Sequence, residues 1–138
     1  MDKVELIPIK EIDHEQGPIL HMLRSDSPHF RCFGEIYFSV INGGANKGWK
    51  RHLKMTQLIA VPMGQVEFAL RDDRENSPTV GVVSRLVIGR PLNYFLLKIP
   101  PMVWYSFKGL GPNSSLIANC TDMPHDPTEV ERRGFGEL

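Results

Sequence analysis

Apolar residues come in short bursts along the chain, each closed by Gly, Pro, Asn or Asp. "EIYFSVI" (35–41) is rich in β-branched and aromatic residues and runs into the turn-forming cluster "NGGAN". "TQLIAVP" (56–62) and "QVEFALR" (65–71) flank Met63-Gly64 as the two arms of a hairpin would. A polar loop, "DDRENSPTVG" (72–81), precedes "VVSRLVI" (82–88), "YFLLKI" (94–99), "VWYSFKGL" (103–110) and "SLIANC" (115–120). One strand about every ten residues is the rhythm of an all-β sandwich or small barrel. A helical period surfaces only in "GPILHMLRSD" (17–26), where Leu20, Leu23 and Ile19 share a face if the segment coils. "DPTEVERR" (126–133) has the chemistry to open a short helix, with Asp126 as cap and Pro127 in the first turn. The pattern predicts one domain over 1–138, with an arm (1–32), a barrel core (about 33–122) and a polar tail (123–138).

Composition narrows the partners. A chain of 138 residues is long enough for one hydrophobic core. Sixteen basic side chains offset sixteen acidic ones, so no net field draws nucleic acid or an anionic membrane. No apolar run is long enough to span a bilayer, and "MDKVELIPIKEID" lacks the apolar centre of a signal peptide, so a cytoplasmic location is expected. Cys32 and Cys120 have no CxxC spacing and read as small buried hydrophobes in a reducing compartment. His14, His29 and His125 stand in polar loops and read as surface residues, and "PHDP" (124–127) reads as a rigid turn.

Chemistry concentrates in "KGWKRHLKMTQ" (47–57). Residues two apart in a strand share a face, so Lys50 and His52 point one way and Arg51 the other, the latter as a solvated strand edge. Lys50, His52, Gln57 and Gly64 have the spacing K-x-H-x4-Q-x6-G, which resembles the first cupin motif, H-x-H-x4-E-x6-G. Pro100, Met102, Tyr105 and Gly109 fall on the four positions of the second, P-x-G-x2-H-x3-N. The resemblance implies the cupin double-stranded β-helix, a jelly-roll barrel. Its metal-ligand positions hold Lys50, His52, Gln57 and Tyr105, a set with a cation and only one strong ligand, so neither metal nor other cofactor is expected.

"VPMGQVEFALRDDRENSPTVG" followed by "LLKIPPMVWYSF" resembles the dTDP-4-dehydrorhamnose 3,5-epimerase family. The most specific match is the loop bearing Asp72, Arg74, Ser77, Pro78, Thr79 and Gly81. "DHEQG" upstream, with Gln16 at the position of an Arg, and "NCTDMPHDP" downstream extend the likeness over roughly 12–130. Members of that family invert carbons beside the C4 ketone of a nucleotide-linked sugar. A His takes the proton, a Tyr returns one, a Lys steadies the enolate and an Asp orients the His. By position the base His falls on Lys50, the Lys on Gln57, a second active-site His on Tyr105 and the Tyr near Ile117 or Ala118. The orienting Asp falls in an extension beyond Arg133 that this chain lacks.

The substituted positions still carry acid–base chemistry. A desolvated Lys50 can act as base, His52 titrates near neutrality, and Tyr105 can donate a proton. Together they suit a metal-independent single epimerisation or keto-sugar isomerisation. The alternative is a non-catalytic cupin in which the same trio lines a pocket for a nucleotide sugar or small carboxylate. Gln57 joins either site. Lys47 and Arg24 are candidates for a diphosphate, and His21 falls where the family has a Glu at the nucleotide end. Trp49 and Trp104 either stack on a base or pack the barrel. Asp72 and Arg74 are expected to staple their own loop. The family also implies a homodimer that exchanges N-terminal segments.

Overall fold

In the computed structural model, which describes residues 1–134 and 136, the apolar bursts become two facing antiparallel sheets. The strands are β1 (Glu5–Pro8), β2 (Glu11–Ile12), β3 (Ile19–Leu20), β4 (Glu35–Ile41), β5 (Asn46–His52) and β6 (Gln57–Met63). They continue with β7 (Gln65–Asp72), β8 (Val83–Gly89), β9 (Phe95–Ile99), β10 (Val103–Leu110), β11 (Ser115–Thr121) and β12 (Val130–Arg133). One sheet runs β1-β9-β6-β11-β4, the other β12-β5-β10-β7-β8, and β2 pairs with β3 alone. This is the all-β jelly-roll barrel of the cupins. No helix among the described residues is long and apolar enough to cross a membrane.

Strand β6 shows why some bursts lack alternation. Ile59 and Val61 point between the sheets, where Phe68, Leu70, Leu97 and Ile99 join them. Leu58 and Ala60 point outward, beneath Ile7, Ile9, Leu20, Met22 and Leu23 of the arm. A strand covered on both faces is apolar throughout. Strand β4 is covered on one face only, and on the other Ile36, Phe38 and Val40 remain exposed. The predicted turn forms at Gly64, whose φ is +83° and whose imagined Cβ would lie 2.1 Å from Ser115 Oγ, so only glycine fits. The expected hairpin is corrected: β6 pairs with β9 and β11 in one sheet and β7 with β10 and β8 in the other.

Both helical expectations are corrected. Residues 17–26 hold a two-residue strand, because Leu20 and Leu23 reach their partly buried places by lying extended over the outer sheet. At 126–133 Asp126 does cap, accepting from Thr128 N, but it opens only a 3₁₀ turn (Pro127–Glu129). Val130–Arg133 then adds to the edge of β5, satisfying ladder groups that a helix would leave open. Cys120 is buried, whereas Cys32 is exposed, its thiol on Asp122 O at 3.3 Å. The 72–81 loop is stapled as expected. Arg74 grips the Asp72 carboxylate with two bonds of 2.8 Å, and Ser77 and Thr79 donate to the same group.

Candidate functional site

The site begins with an irregularity in β5. Lys47 pairs with Phe107 and Lys50 with Tyr105, so Gly48 and Trp49 together stand opposite Ser106. Residues three apart on a regular strand point to opposite faces; this extra residue turns Lys47 and Lys50 to the same, inner face. They border a cavity of about 290 Å³ between the sheets. One wall is apolar, made by Ile59, Phe68, Phe107 and Ile117, and the other is polar, made by Tyr37, Gln57, Tyr105 and Asn119. Arg132, opposite Lys50 on β12, adds a third cation.

The polar wall is one hydrogen-bond network. Tyr105 donates its hydroxyl to Gln57 Oε1 at 2.9 Å. Asn119 Nδ2 donates to the same oxygen at 2.8 Å and to Tyr37 Oη at 2.9 Å. Burial pushes both phenols above their ordinary pKa, Tyr105 much the further, so it stays protonated throughout the neutral range. Lys50 moves the other way. Burial, then the charges of Arg132 and Lys47, lower its ammonium to about 8, and its Nζ lies 5.4 Å from the centre of the Tyr105 ring. A lysine with a lowered pKa and a tyrosine held protonated therefore border one cavity.

Behind Tyr105 lies a buried imidazole–carboxylate pair. His52 packs its ring 6.4 Å from the Tyr105 ring and bonds Glu129 Oε1 through Nδ1. Glu129 Oε2 accepts from the backbone N–H groups of Lys54 and Met55, both at 3.2 Å. Burial lowers the His52 pKa against the pull of Glu129, which favours a neutral ring that donates its Nδ1–H to the carboxylate. Burial raises Glu129, but the bond from His52 and the two amides outweigh it and hold the group below its usual range. The His52 Nε2 lone pair is left without a partner among the described residues.

Of the residues expected from sequence, Lys50, Tyr105, Gln57 and Lys47 come together on the cavity. His52 sits beside it, behind Tyr105, without lining it. Trp49, raised on the β5 irregularity, does not line it either. His21 and Arg24 are elsewhere, at a hollow of about 270 Å³ between the arm and β9, because the arm covers the outer face of the sheet. Arg24 there forms an exposed two-bond pair with Asp26. Arg51 is no free edge: it pairs with Asp73 at 3.0 Å and Glu131 at 2.9 Å and covers the Trp104 ring. Trp104 is buried and donates Nε1–H to Asp73, so it packs the barrel.

Four contributors escaped sequence reasoning. Tyr37 and Asn119 were legible in principle, since each alternates with residues that face the opposite side of its strand. Arg132 and Glu129 were hidden in a segment with helix-opening chemistry. Glu129 supplies from just before β12 a carboxylate for the barrel imidazole, the kind of partner that the family resemblance places beyond Arg133.

The fold and this partly open hollow, polar on one side and apolar on the other, define a cupin barrel with a cavity of small-ligand size. The chain is 31% identical over 125 residues to the probable low-salt glycan biosynthesis epimerase Agl13 of Haloferax volcanii, covering 89% of this chain and 80% of that protein. The crystal structure of a dTDP sugar isomerase from Desulfovibrio desulfuricans G20 is 50% identical, with a TM-score of 0.96, over 99% of this chain and 87% of the other. The dTDP-4-dehydrorhamnose 3,5-epimerase of Sulfolobus tokodaii shares the fold alone, at 20% identity and a TM-score of 0.84, over 98% of this chain and 79% of the other. No family model matches the sequence. The protein belongs to the dTDP-4-dehydrorhamnose 3,5-epimerase family of sugar-nucleotide epimerases and isomerases.

Proposed function

We propose that the protein is a sugar-nucleotide epimerase or keto-sugar isomerase, acting on a dTDP-linked 4-keto sugar by moving a proton at a carbon next to the ketone. The observation that carries this is the meeting, at one cavity between the sheets, of a lysine whose pKa is near 8 with a tyrosine held in its protonated form. The neutral amine of Lys50 takes the proton from the carbon beside the carbonyl. The Tyr105 hydroxyl, on the neighbouring strand, returns one. Charge that builds on the enolate oxygen meets the cationic side of the cavity, Lys47 and Arg132, where low polarity strengthens the attraction. The apolar wall keeps water from the intermediate.

The donor set favours metal-independent chemistry. An ammonium, an amide and a neutral phenol occupy three of the cupin ligand positions, and Glu129 already engages Nδ1 of the single imidazole. A cytoplasmic setting accompanies this reading. So does a homodimer, supported by the uncovered row Ile36, Phe38 and Val40 on β4, 54%, 64% and 58% exposed on a sheet face. Light scattering should give twice the 15.7 kDa of one chain, and a monomeric mass at micromolar concentration would count against it.

The catalytic claim has a direct test. Incubated in deuterated water with dTDP-linked 4-keto-6-deoxyhexoses, the protein should place deuterium at a carbon adjacent to the ketone, visible by NMR. Binding without exchange would make it the non-catalytic module instead. A second assignment of the base is favoured by one observation, the His52 Nε2 that has no partner among the described residues, in its dyad with Glu129. The pH profile separates the two. A Lys50 base loses rate as pH falls below about 8, a His52 base only below neutrality.

A further inference from the structure

Lys50 faces another cation across its own sheet. In the β5–β12 ladder Arg132 stands directly opposite it, and opposed residues of an antiparallel pair put their side chains on one face. Both border the cavity. Lys47 is a third cation there, but its ammonium is tied to Ser39 Oγ at 2.8 Å and Val40 O at 3.1 Å. Neither Lys50 nor Arg132 has a side-chain hydrogen bond or ion pair among the described residues, and no carboxylate among them lines the cavity. The other titratable groups around Lys50 are His52 on its own strand, Tyr105 on β10 and Tyr37 on β4, all uncharged at neutral pH. Glu129, just before β12, is engaged by His52 and the amides of Lys54 and Met55.

Like charges directly opposite one another destabilise a sheet. This pair persists because β12 is fastened elsewhere. Leu53 N donates to Glu129 O at 2.7 Å, the Glu129 carboxylate holds His52, and on the outer face Glu131 pairs with Arg51 at 2.9 Å. The edge strand thus carries a cation to a place where the sheet gains nothing from it. We infer that Arg132 is a positioning residue, whose fixed charge on β12 opposes protonation of Lys50 and keeps its amine available as the base. A guanidinium suits the task because it stays charged throughout the working range and cannot relieve the repulsion by titrating itself. This rests on Lys50 acting as the base, as proposed above, and goes beyond it by giving the edge strand a part in setting that base. The lowered Lys50 pKa agrees: after burial, Arg132 acts on it more strongly than Lys47 does.

The ionisation of Lys50 can be followed by NMR without any substrate. In protein made with carbon-13-labelled lysine, the Lys50 Cε resonance, assigned by its absence from Lys50→Met, should titrate with a midpoint near 8. In Arg132→Met that midpoint should rise by about half a pH unit or more, and in Arg132→Glu further still. Arg132→Lys keeps the charge and should stay near the parent. Salt gives a second measurement that needs only the parent protein and so survives a variant that fails to fold. At about 1 M, where the screening length is about 3 Å, the parent midpoint should move up towards that of Arg132→Met, which should itself move less. With a dTDP-linked 4-keto sugar, the midpoint of kcat/KM should follow the Cε midpoint in each variant, because both report the free enzyme. For Arg132→Met that shift alone lowers kcat/KM at neutral pH by about 3- to 10-fold, whatever happens to the plateau at high pH. A merely structural role would lower the rate at every pH and leave both midpoints in place, which would overturn the inference. So would a Cε midpoint that moves as far in Arg132→Lys as in Arg132→Met, or one that salt leaves unchanged in the parent. Cε midpoints that shift while the rate profile stays fixed would overturn instead the reading of Lys50 as the base.

Discussion

Replacing Lys50 with Met should lower turnover by about 10³-fold and leave the fold no less stable than before. Both halves rest on one fact: burial has brought the ammonium to about 8, so the protein holds this group against its charged state. Its ordinary value is 10.5. Between the two values the unfolded chain holds more protons than the folded one, so stability rises with pH across that window. Below about 8 the penalty is present in full, with an upper bound of about 3 kcal/mol before solvent screening. The Met variant removes the penalty. Its thermal midpoint at pH 7 should equal or exceed that of the parent, and its stability should change less between pH 8 and 10.5. In the parent, kcat/KM should climb with a midpoint near 8 as the amine loses its proton. A Met variant with undiminished exchange would remove Lys50 from the chemistry. One that melted well below the parent would show that the ammonium supports the barrel.

The largest loss of stability is expected from Asp72→Ala. Asp72 is fully buried and accepts from the Arg74 side chain twice, from the Arg74 amide, and from the hydroxyls of Ser77 and Thr79. Arg74 in turn donates to Asp2 O at 2.7 Å, so the carboxylate also anchors the first residues of the arm. Removing it strands a half-buried guanidinium and two hydroxyls. The cost should be about 3–5 kcal/mol, or roughly 10–20 °C in melting temperature for a domain of this size. Bonds from Arg74 above all, then from Ser77 and Thr79, hold the carboxyl far below the usual range against the effect of burial. For a depressed carboxylate the contribution is whole above its unfolded pKa near 3.8 and fades as pH falls below it. Acid melts should therefore steepen below pH 4 in the parent, and Ala at this position should remove that contribution. A variant within about 1 kcal/mol of the parent would show that the loop reorganises around the gap.

The Asp72 staple was legible because the side chains that hold its carboxylate, Arg74, Ser77 and Thr79, all lie within seven residues of it, so local spacing was enough. Gly64 was legible only as a turn between consecutive strands; its close contact with Ser115 and the passage of β6 and β7 into different sheets were not. Glu129 stands 77 residues from His52, and no local rule connects them. The tail illustrates the conflict. Asp126 and Pro127 specify a turn correctly, yet the conformation of the next four residues is decided by the open edge of β5, which captures Val130–Arg133 as a strand.

Taken alone, the amino-acid order determined the barrel, the strand bursts, the glycine turn and the inward direction of Lys50, because periodicity and turn chemistry act over a few residues. It also carried the spacing in which Lys50, Gln57 and Tyr105 replace the ligands of a metal-binding cupin. Tertiary structure decided the rest. The β5 irregularity turned Lys47 inward, the arm took His21 and Arg24 to the other face of the sheet, and β12 brought Arg132 to the rim. Burial, a property of the assembled sheets, lowered Lys50 and raised Tyr105. Pairing across long sequence distances and the loss of water inside a closed barrel are collective effects, and no short stretch of the chain contains them.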